Sequence, residues 1–341
     1  MAELNYQKRL QNLQNRRFDK DLNESALSKS FTTSDLPENI RYMVESMQPI
    51  DSKYNAKTIT AATNVQKHLE RDLNVHFKRA YKTQGSVMAG TNIKVHSDID
   101  LLTVIDRYFY LQGQPLVPYT ESDPNSDIKD LRKQAVDVLK RQYDIVDNTG
   151  DKSISIVNQN LGRKVDIVPC FWYKSDKYNE TNNEYYKGIY LFDFPKEAKL
   201  LDYPFATLKN LNYKGDSTND GFRRGVRLLK TLKADCDTEL KTLKSFQLTT
   251  VVYSINDISL NYYAGNDPNI AKAISIEMEK LINDSAYRCS IKSSNGMEKP
   301  LDKIGIVPDL IRLKEDLDDL IKDSDNDLRN SLIVKRNILT Y

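Results

Sequence analysis

The stretch that decides the fold is residues 84–102, which read QGSVMAGTNIKVHSDIDLL. It opens with a small-residue turn at Gly85 and Ser86 and closes with a strand that carries Asp98 and Asp100. Because side chains alternate between the two faces of a strand, the two carboxylates point the same way. The apolar residues next to them point the other way and anchor the strand in a core.

Two carboxylates side by side repel each other and raise each other's pKa, so a divalent metal ion is the usual reason for such a pair. Mg²⁺ prefers one or two carboxylates together with substrate phosphates. The backbone N–H groups and the hydroxyl of the Gly85-Ser86 turn lie where those phosphates would sit. The stretch therefore predicts a two-metal phosphoryl-transfer site with a third carboxylate elsewhere in the chain.

The third carboxylate is Asp166, in the second strand of a predicted hairpin. Residues 152–157 and 163–168 read as strands joined by a short polar turn, and the second strand is predicted to end at Pro169. An aspartate in an apolar strand is costly unless it is paired or metal-bound. Taken alone it is more often a structural group, but beside an Asp-x-Asp strand the metal-ligand interpretation is favoured.

Composition narrows the function classes. The chain has 341 residues and a formal charge of +2, with 50 basic and 48 acidic residues. Such a balance disfavours a protein that wraps long nucleic acid. The three cysteines are too few and too scattered for a disulfide framework or a zinc site. No apolar signal core or run of transmembrane length is evident, so we expect a cytoplasmic protein without a membrane partner.

Apolar periodicity predicts the other elements. A long amphipathic helix is expected over 56–80, and a strand over 185–194. The final residues, 323–341, either pack as a helix or form a tail. Further predictions are a helix start at 34–37 leading into 40–47, a polar loop at 113–127, and helices over 127–142, 268–283 and 307–323.

The helix expected after residue 218 carries Arg223, Arg227 and Lys230 on one face. The row is either a solvated basic face, which is common, or a set of cations aimed at a triphosphate. Ser245 opens the next helix, as a simple cap or as part of a helix N-terminus that attracts phosphate. Phe246 is either core or a stacking platform for a base.

Three motifs together resemble the polymerase-β-type nucleotidyltransferase superfamily. Within it, the chain is most similar to the cGAS/DncV-like nucleotidyltransferases, the CD-NTases of bacterial anti-phage signalling. The resemblance runs from about residue 56 to about residue 290. The residues that carry it are Gly85-Ser86, Ser97-Asp98-Ile99-Asp100 and Val165-Asp166-Ile167-Val168-Pro169, supported by Gln84, Thr91, Arg227-Leu228-Leu229-Lys230 and Lys244-Ser245-Phe246.

The resemblance implies an α+β fold, with a mixed β-sheet and flanking helices packed against a helical lobe. It divides the chain into an N-terminal helical segment of unassigned role (1–55), a nucleotidyltransferase core (56–215) and a helical C-terminal lobe (216–341). The family makes cyclic di- or trinucleotides from NTPs, in CBASS-type defence. The expected function is therefore a cyclic oligonucleotide synthase that releases pyrophosphate.

The resemblance also assigns roles to individual residues. Asp98 and Asp100 would bind two Mg²⁺ ions, for which Mn²⁺ can substitute, and Asp166 would complete the site for the attacking hydroxyl. Gly85 and Ser86 would hold the donor triphosphate. The other substrate-binding residues it implies are Lys230 and Ser245 at the triphosphate, Phe246 against a base and Gln84 near the phosphates.

The expected partners are NTP substrates, a downstream effector that senses the product, and a regulatory or conjugating protein at the C-terminus. The alternative function is untemplated nucleotidyl transfer to an RNA end or to a protein hydroxyl. A catalytically silent nucleotide-binding scaffold is the third interpretation. The complete set of three aspartates makes it the least favoured.

Overall fold

The structure is a computed structural model that describes residues 4–18, 36–113 and 122–338, with side chains described up to residue 329. Three sequence predictions fall partly outside these residues: the helix start at Ser34 and Asp35, the loop at 114–121 and the chain end at 339–341. The chain divides into two compact units. The helical unit is Met1–Ile50, Ile93–Val95 and Leu211–Tyr341, and the sheet unit is Asp51–Asn92 and His96–Asn210.

The described helices and strands are numbered here in chain order. They are α1 (Tyr6–Arg17), α2 (Glu38–Met47), α3 (Ser52–Asp72), β1 (Arg79–Gln84), β2 (Ile99–Leu111), α4 (Pro124–Lys140), β3 (Ile145–Asp147), β4 (Ile154–Asn158), β5 (Arg163–Lys174), α5 (Asp176–Thr181), β6 (Lys187–Asp193), β7 (Ala198–Asp202), α6 (Pro204–Ser217), α7 (Gly221–Asp235), α8 (Ser245–Ser254), α9 (Asp257–Leu260), α10 (Asp267–Asn283), α11 (Ser285–Ser290) and α12 (Ile306–Ile338).

The sheet is mixed. Its main path runs β1-β2-β5-β4-β3, and β6 and β7 extend it from the second half of β5. β2 and β5 are parallel, whereas the other pairs are antiparallel. The predicted hairpin is confirmed as β4 and β5, with Ser155 opposite Asp166. The fold class predicted from the sequence, a mixed sheet with flanking helices, is also confirmed.

Helices α3 and α4 cover one face of the sheet and form the main core of this unit. Ile99 and Leu101 of β2 and Val165 and Ile167 of β5 point into that core. The residues between them in sequence face the opposite side, where a smaller cluster forms around Trp172. Strand alternation therefore places Asp100 and Asp166 on the face away from α3 and α4.

The predicted helix over 56–80 is too long. It ends at Asp72, and the chain is extended again from Arg79 because β1 pairs antiparallel with β2. Leu73 and Phe77, which the periodicity placed on the helix, are buried in the same core from the connecting segment. Their apolar character reflects burial in the core and not a helical backbone, because the pairing of β1 with β2 requires the chain to leave the helix.

The prediction that the second hairpin strand ends at Pro169 is wrong, because β5 continues to Lys174. β4 pairs with β5 as far as Ile167, and β6 takes over at Cys170. Pro169 lies between the segments that pair with these two strands. A residue without an N–H donor is tolerated at such a break in the ladder.

Buried ion pairs hold the helical unit together. Asp235 at the end of α7 accepts hydrogen bonds from Arg16 of α1 and from the Tyr42 hydroxyl of α2. Arg9 of α1 pairs with the buried Asp316 of α12. Helix α12 runs well beyond the predicted 307–323, so the chain continues as a helix to residue 338. Within the described residues, no helix is both long enough and apolar enough to cross a membrane.

Candidate active site

Asp100 and Asp166 are brought together by the parallel pairing of β2 with β5, in which they are direct partners. Asp98 lies two residues earlier, just before β2 begins, and its side chain is 55 % exposed. The third predicted carboxylate, Asp166, is therefore adjacent to the Asp-x-Asp motif in the folded sheet, although it is far from it in sequence.

Asp100 is half-buried near the start of β2. Burial, followed by the negative charge of Asp166, raises the pKa of Asp100 to about 6. Gln84, its partner on β1, donates a hydrogen bond from Nε2 to Asp100 Oδ2 at 3.3 Å. One neutral amide only partly offsets the negative charge of the neighbouring carboxylates. The site therefore favours a bound cation.

Gly85 turns the chain at the end of β1. Its φ of +111° lies where side chains are rarely tolerated, and a Cβ there would be 3.8 Å from Asp100 Oδ2. The next residues form a tight turn, in which the Met88 and Ala89 N–H groups donate to the Gly85 carbonyl and Thr91 N–H donates to the Ser86 carbonyl. The predicted phosphate-holding turn thus lies directly beside Asp100.

Lys164 is a site residue that the sequence analysis missed. Its ammonium Nζ lies 3.4 Å from Asp98 Oδ2 and 3.2 Å from Asp166 Oδ2. Burial lowers the pKa of Lys164, but the Asp166 and Asp98 carboxylates outweigh burial, so the net pKa is raised. The available signal was its position, two residues before Asp166 and hence on the same face of the strand.

Ser155 is a second site residue that the sequence patterns did not indicate. It faces Asp166 across the β4–β5 ladder, and its hydroxyl donates a hydrogen bond to Asp166 Oδ1. Asp166 therefore has a donor on each carboxylate oxygen, the hydroxyl on one and the Lys164 ammonium on the other. These two contacts fix the orientation of the carboxylate.

Arg163 holds the loop before Asp98 against the hairpin turn. It is fully buried and donates to Thr58 Oγ1 of α3 at 3.0 Å and to the Gly162 carbonyl at 3.0 Å. His96 Nδ1 lies 2.6 Å from that same carbonyl. The segment that leads into Asp98 is thereby tied to the strand that carries Asp166.

The oxygen-only donor set of Asp98, Asp100 and Asp166 fits a hard divalent cation such as Mg²⁺. In the described part of the chain, however, no three carboxylate, imidazole or thiolate side chains stand close enough together to hold a metal ion as they are. The Lys164 ammonium lies between two of the three aspartates. The three aspartates therefore have the right chemistry for a divalent metal, and the Lys164 ammonium offsets part of their negative charge.

The remaining predicted substrate contacts lie in the helical unit. Lys230 of α7 is buried, and burial, then the Arg227 charge, lowers its pKa to about 8. Ser245 is the first residue of α8, and Phe246 is 38 % exposed. Their roles at the triphosphate and at a base stay predictions.

Arg227 and Arg223 have structural partners within the helical unit. The buried Arg227 donates to the Met47 carbonyl at 2.7 Å and pairs with Asp220. Arg223 pairs with Asp216. These ion pairs favour a structural role over the alternative in which both arginines face a triphosphate.

No family model matches the chain. A c-di-GMP synthase from a Lachnospiraceae bacterium (strain RUG226) is 32 % identical over 243 residues, which cover 63 % of this chain and 69 % of that protein. That identity over that share decides the family. This chain belongs to the cGAS/DncV-like nucleotidyltransferases, the CD-NTases.

Two further comparisons agree. The cyclic dinucleotide synthase CdnE of Yersinia aleksiciae is 29 % identical over 287 residues, covering 81 % of this CD-NTase and 74 % of that protein. The solved structure of the STING-associated CdnE c-di-GMP synthase from Capnocytophaga granulosa superposes with a TM-score of 0.80 at 27 % identity, covering 95 % of this chain and 99 % of that one. The predicted family and enzyme class, a nucleotidyltransferase that makes cyclic oligonucleotides, are confirmed.

Proposed function

We propose that this CD-NTase joins two nucleoside triphosphates into a cyclic dinucleotide, with GTP as the preferred substrate, at the site formed by Asp98, Asp100 and Asp166. The observation that carries the proposal is the in-register pairing of Asp100 with Asp166 beside the Gly85 turn. The base preference rests on relatives, since those from Lachnospiraceae, Capnocytophaga granulosa and a Flavobacteriaceae species are all named c-di-GMP synthases.

Each round of the reaction forms one phosphodiester bond. A ribose hydroxyl oxygen of the acceptor attacks the α-phosphorus of the donor, the bond between the α-phosphorus and the bridging oxygen breaks, and pyrophosphate leaves with that oxygen. The hydroxyl proton passes to a carboxylate oxygen of Asp166, which the Ser155 hydroxyl and the strand register hold in place. For ring closure the linear intermediate turns over, and its own hydroxyl becomes the second acceptor.

Asp98, Asp100 and Asp166 would hold two Mg²⁺ ions, and Mn²⁺ would substitute. When bound, the ions offset the charge of the carboxylates and phosphates, lower the pKa of the acceptor hydroxyl and stabilise the leaving pyrophosphate. Like charges about 4 Å apart repel by roughly 4 kcal/mol at an effective dielectric near 20, which is why the carboxylates alone would reject a triphosphate. The Gly85-Ser86 turn and Lys230 hold the donor phosphates, Ser245 assists at the triphosphate, and Phe246 stacks on a base.

We place the enzyme in the cytoplasm, where NTPs are available, in an anti-phage pathway in which an effector senses the product. The Capnocytophaga granulosa enzyme is described as STING-associated. By extension, the effector here is a receptor for a cyclic dinucleotide. A regulatory or conjugating partner at the C-terminus stays part of this proposal.

The test is incubation of the purified protein with each NTP and with all four, in the presence of Mg²⁺ or Mn²⁺, followed by phosphatase treatment and mass analysis. A phosphatase-resistant cyclic dinucleotide from GTP alone supports the proposal in full. A different cyclic product corrects the base preference. Labelled protein, an extended RNA end or the absence of turnover contradicts cyclisation.

Matched variants identify the site in the same assay. Asp98→Asn and Asp166→Asn remove one charge each at nearly constant volume. Asp123→Asn is the control because Asp123 caps α4 through the Ser126 N–H, and α4 covers the face of the sheet opposite to Asp100 and Asp166. Product formed at the wild-type rate by either site variant would overturn the assignment.

A further inference from the structure

Lys164 makes two ion pairs within one cluster of carboxylates. Its Nζ contacts Asp98 Oδ2 at 3.4 Å and Asp166 Oδ2 at 3.2 Å, and both carboxylates belong to the metal-ligand set of the proposed function. Lys164 joins β5 to the segment that precedes β2, so its ammonium lies where a cation shared by these two aspartates would lie.

The charges around the three aspartates explain the position of the Lys164 ammonium. Asp98, Asp100 and Asp166 are clustered, and Asp100 has a neutral hydrogen-bond donor, Gln84, rather than a cation. The neighbouring Arg163 cannot supply the charge, because it is fully buried among Thr58 and the carbonyls of the hairpin turn. Among the described ion pairs, those of Lys164 are the ones that neutralise this cluster.

The lysine is also able to leave. Its side chain is 38 % exposed, and Asp98 is 55 % exposed, so the ammonium can move into water without breaking core contacts. Exposed ion pairs are individually weak, which makes them easy for a divalent ion to displace.

We propose that Lys164 is the resident cation of the metal-free site, a positioning residue that holds Asp98 and Asp166 together and that a divalent metal displaces when it binds. The inference rests on the proposed function, because it takes these aspartates as the metal ligands. The Lys164 ammonium therefore competes with the metal for Asp98 and Asp166. The wild-type protein binds metal less tightly than a variant without the ammonium, but its site stays assembled when metal is absent.

The test is a titration of the full chain with Mn²⁺ alone, without nucleotide, in which electron paramagnetic resonance follows free Mn²⁺. Lys164→Met removes the charge and keeps the aliphatic stem, and Lys164→Arg keeps a cation. Lys129→Met is the matched control, because Lys129 pairs with Glu197 at similar exposure away from the site. We expect Lys164→Met to bind Mn²⁺ roughly fivefold more tightly, as the loss of two exposed ion pairs implies, with the other two proteins near the wild type.

A second measurement covers the case in which Lys164→Met is poorly folded. The rise in Tm on replacing EDTA with Mg²⁺ should be larger in Lys164→Met than in the wild type, because metal relieves more repulsion there. Equal or weaker Mn²⁺ binding by Lys164→Met, or an equal rise in Tm, overturns the inference and leaves the proposed function standing. A wild-type protein that binds no Mn²⁺ and makes no product overturns both.

Discussion

Asp100 of β2 and Asp166 of β5 are direct partners in the parallel pairing of their strands. Each carboxylate also has a polar partner outside this pair. Gln84 donates to Asp100, and Lys164 pairs with Asp166. Among the described ion pairs, Asp166 thus has a cationic partner and Asp100 has none. That imbalance leads to the first prediction.

Asp100→Asn should stabilise the metal-free protein and abolish its activity. Burial and the charge of Asp166 raise the pKa of Asp100 to about 6, so the folded protein holds a proton there that the unfolded chain releases at lower pH. Asp100 therefore makes its full contribution to the free energy of unfolding below about pH 4, which is the pKa of an aspartate in the unfolded chain. That contribution is lost as the pH rises through about 6. At pH 8 the variant should gain up to about 3 kcal/mol in the free energy of unfolding.

The measurement is chemical denaturation in EDTA at pH 4.5 and pH 8, together with the product assay. The stability difference between Asp100→Asn and the wild type should be larger at pH 8, and turnover should fall at least ~100-fold. Asp123→Asn, at the N-cap of α4, is the control for both readouts. A variant that is less stable than the wild type at pH 8 would contradict the charge imbalance.

Lys230 should make substrate binding sensitive to alkaline pH. Burial and the Arg227 charge lower its pKa to about 8, so the ammonium is lost in the folded protein above that pH. Because the unfolded chain keeps its proton to higher pH, the free energy of unfolding should rise between about 8 and 10. If Lys230 contacts the donor triphosphate, the KM for the NTP should rise over the same interval.

Two variants separate these effects. Lys230→Arg keeps its charge and should remove the alkaline rise in KM. Lys230→Met should raise the KM about tenfold at pH 7 and make it independent of pH. Lys233→Met, one turn further along α7, should change neither the KM at pH 7 nor its dependence on pH. A KM that rises equally in the wild type and in Lys230→Arg would show that another group titrates.

Gly85→Ala should reduce both stability and activity. The backbone has a φ of +111°, so any side chain there is strained, and the new methyl group would stand 3.8 Å from Asp100 Oδ2. The expected cost is about 1–3 kcal/mol in unfolding free energy, with at least a tenfold loss of kcat/KM.

The chain offers a matched control in Gly113, which also has a positive φ, of +66°, but has open space around the position of a Cβ. Gly113→Ala should therefore lose stability while keeping activity. Measurements of Tm and of initial rates on both variants distinguish a general loss of stability through backbone strain from distortion of the turn beside Asp100. Full activity in Gly85→Ala would remove the turn from the site.

Ser155→Ala should lower kcat about tenfold with little change in KM, because the hydroxyl orients Asp166 and lies outside the expected substrate contacts. Ser155→Thr should restore most of the rate by supplying the same donor. Steady-state kinetics on the two variants test this, with far-UV circular dichroism as the check on folding. A change confined to KM would instead place Ser155 at the substrate.

Much of the local structure follows from residue patterns. Alternation of Asp98, Ile99, Asp100 and Leu101 correctly divided β2 into a core face and a site face. The hairpin of β4 and β5 was also predictable from the sequence, because its strands are adjacent in the chain. The end of α3 could not be predicted in this way, since Leu73 and Phe77 are buried although the chain there is not helical.

Lys164 shows a different limit. Its position on the site face of β5 could be read from its spacing to Asp166, but nothing in the sequence placed its ammonium beside Asp98. That contact depends on the loop anchored by His96 and Arg163. Partners that lie on different elements are set by how those elements are joined.

The sequence by itself determined the family and the face of the strand on which Asp100 and Asp166 each lie, because these depend on residue type and short-range spacing. The tertiary structure alone decided that Asp100 stands opposite Asp166 and that Lys164 closes the cluster. Parallel strands are paired through a long connection, and their register is set by the packing of α3 and α4 on the sheet. No local pattern records that register.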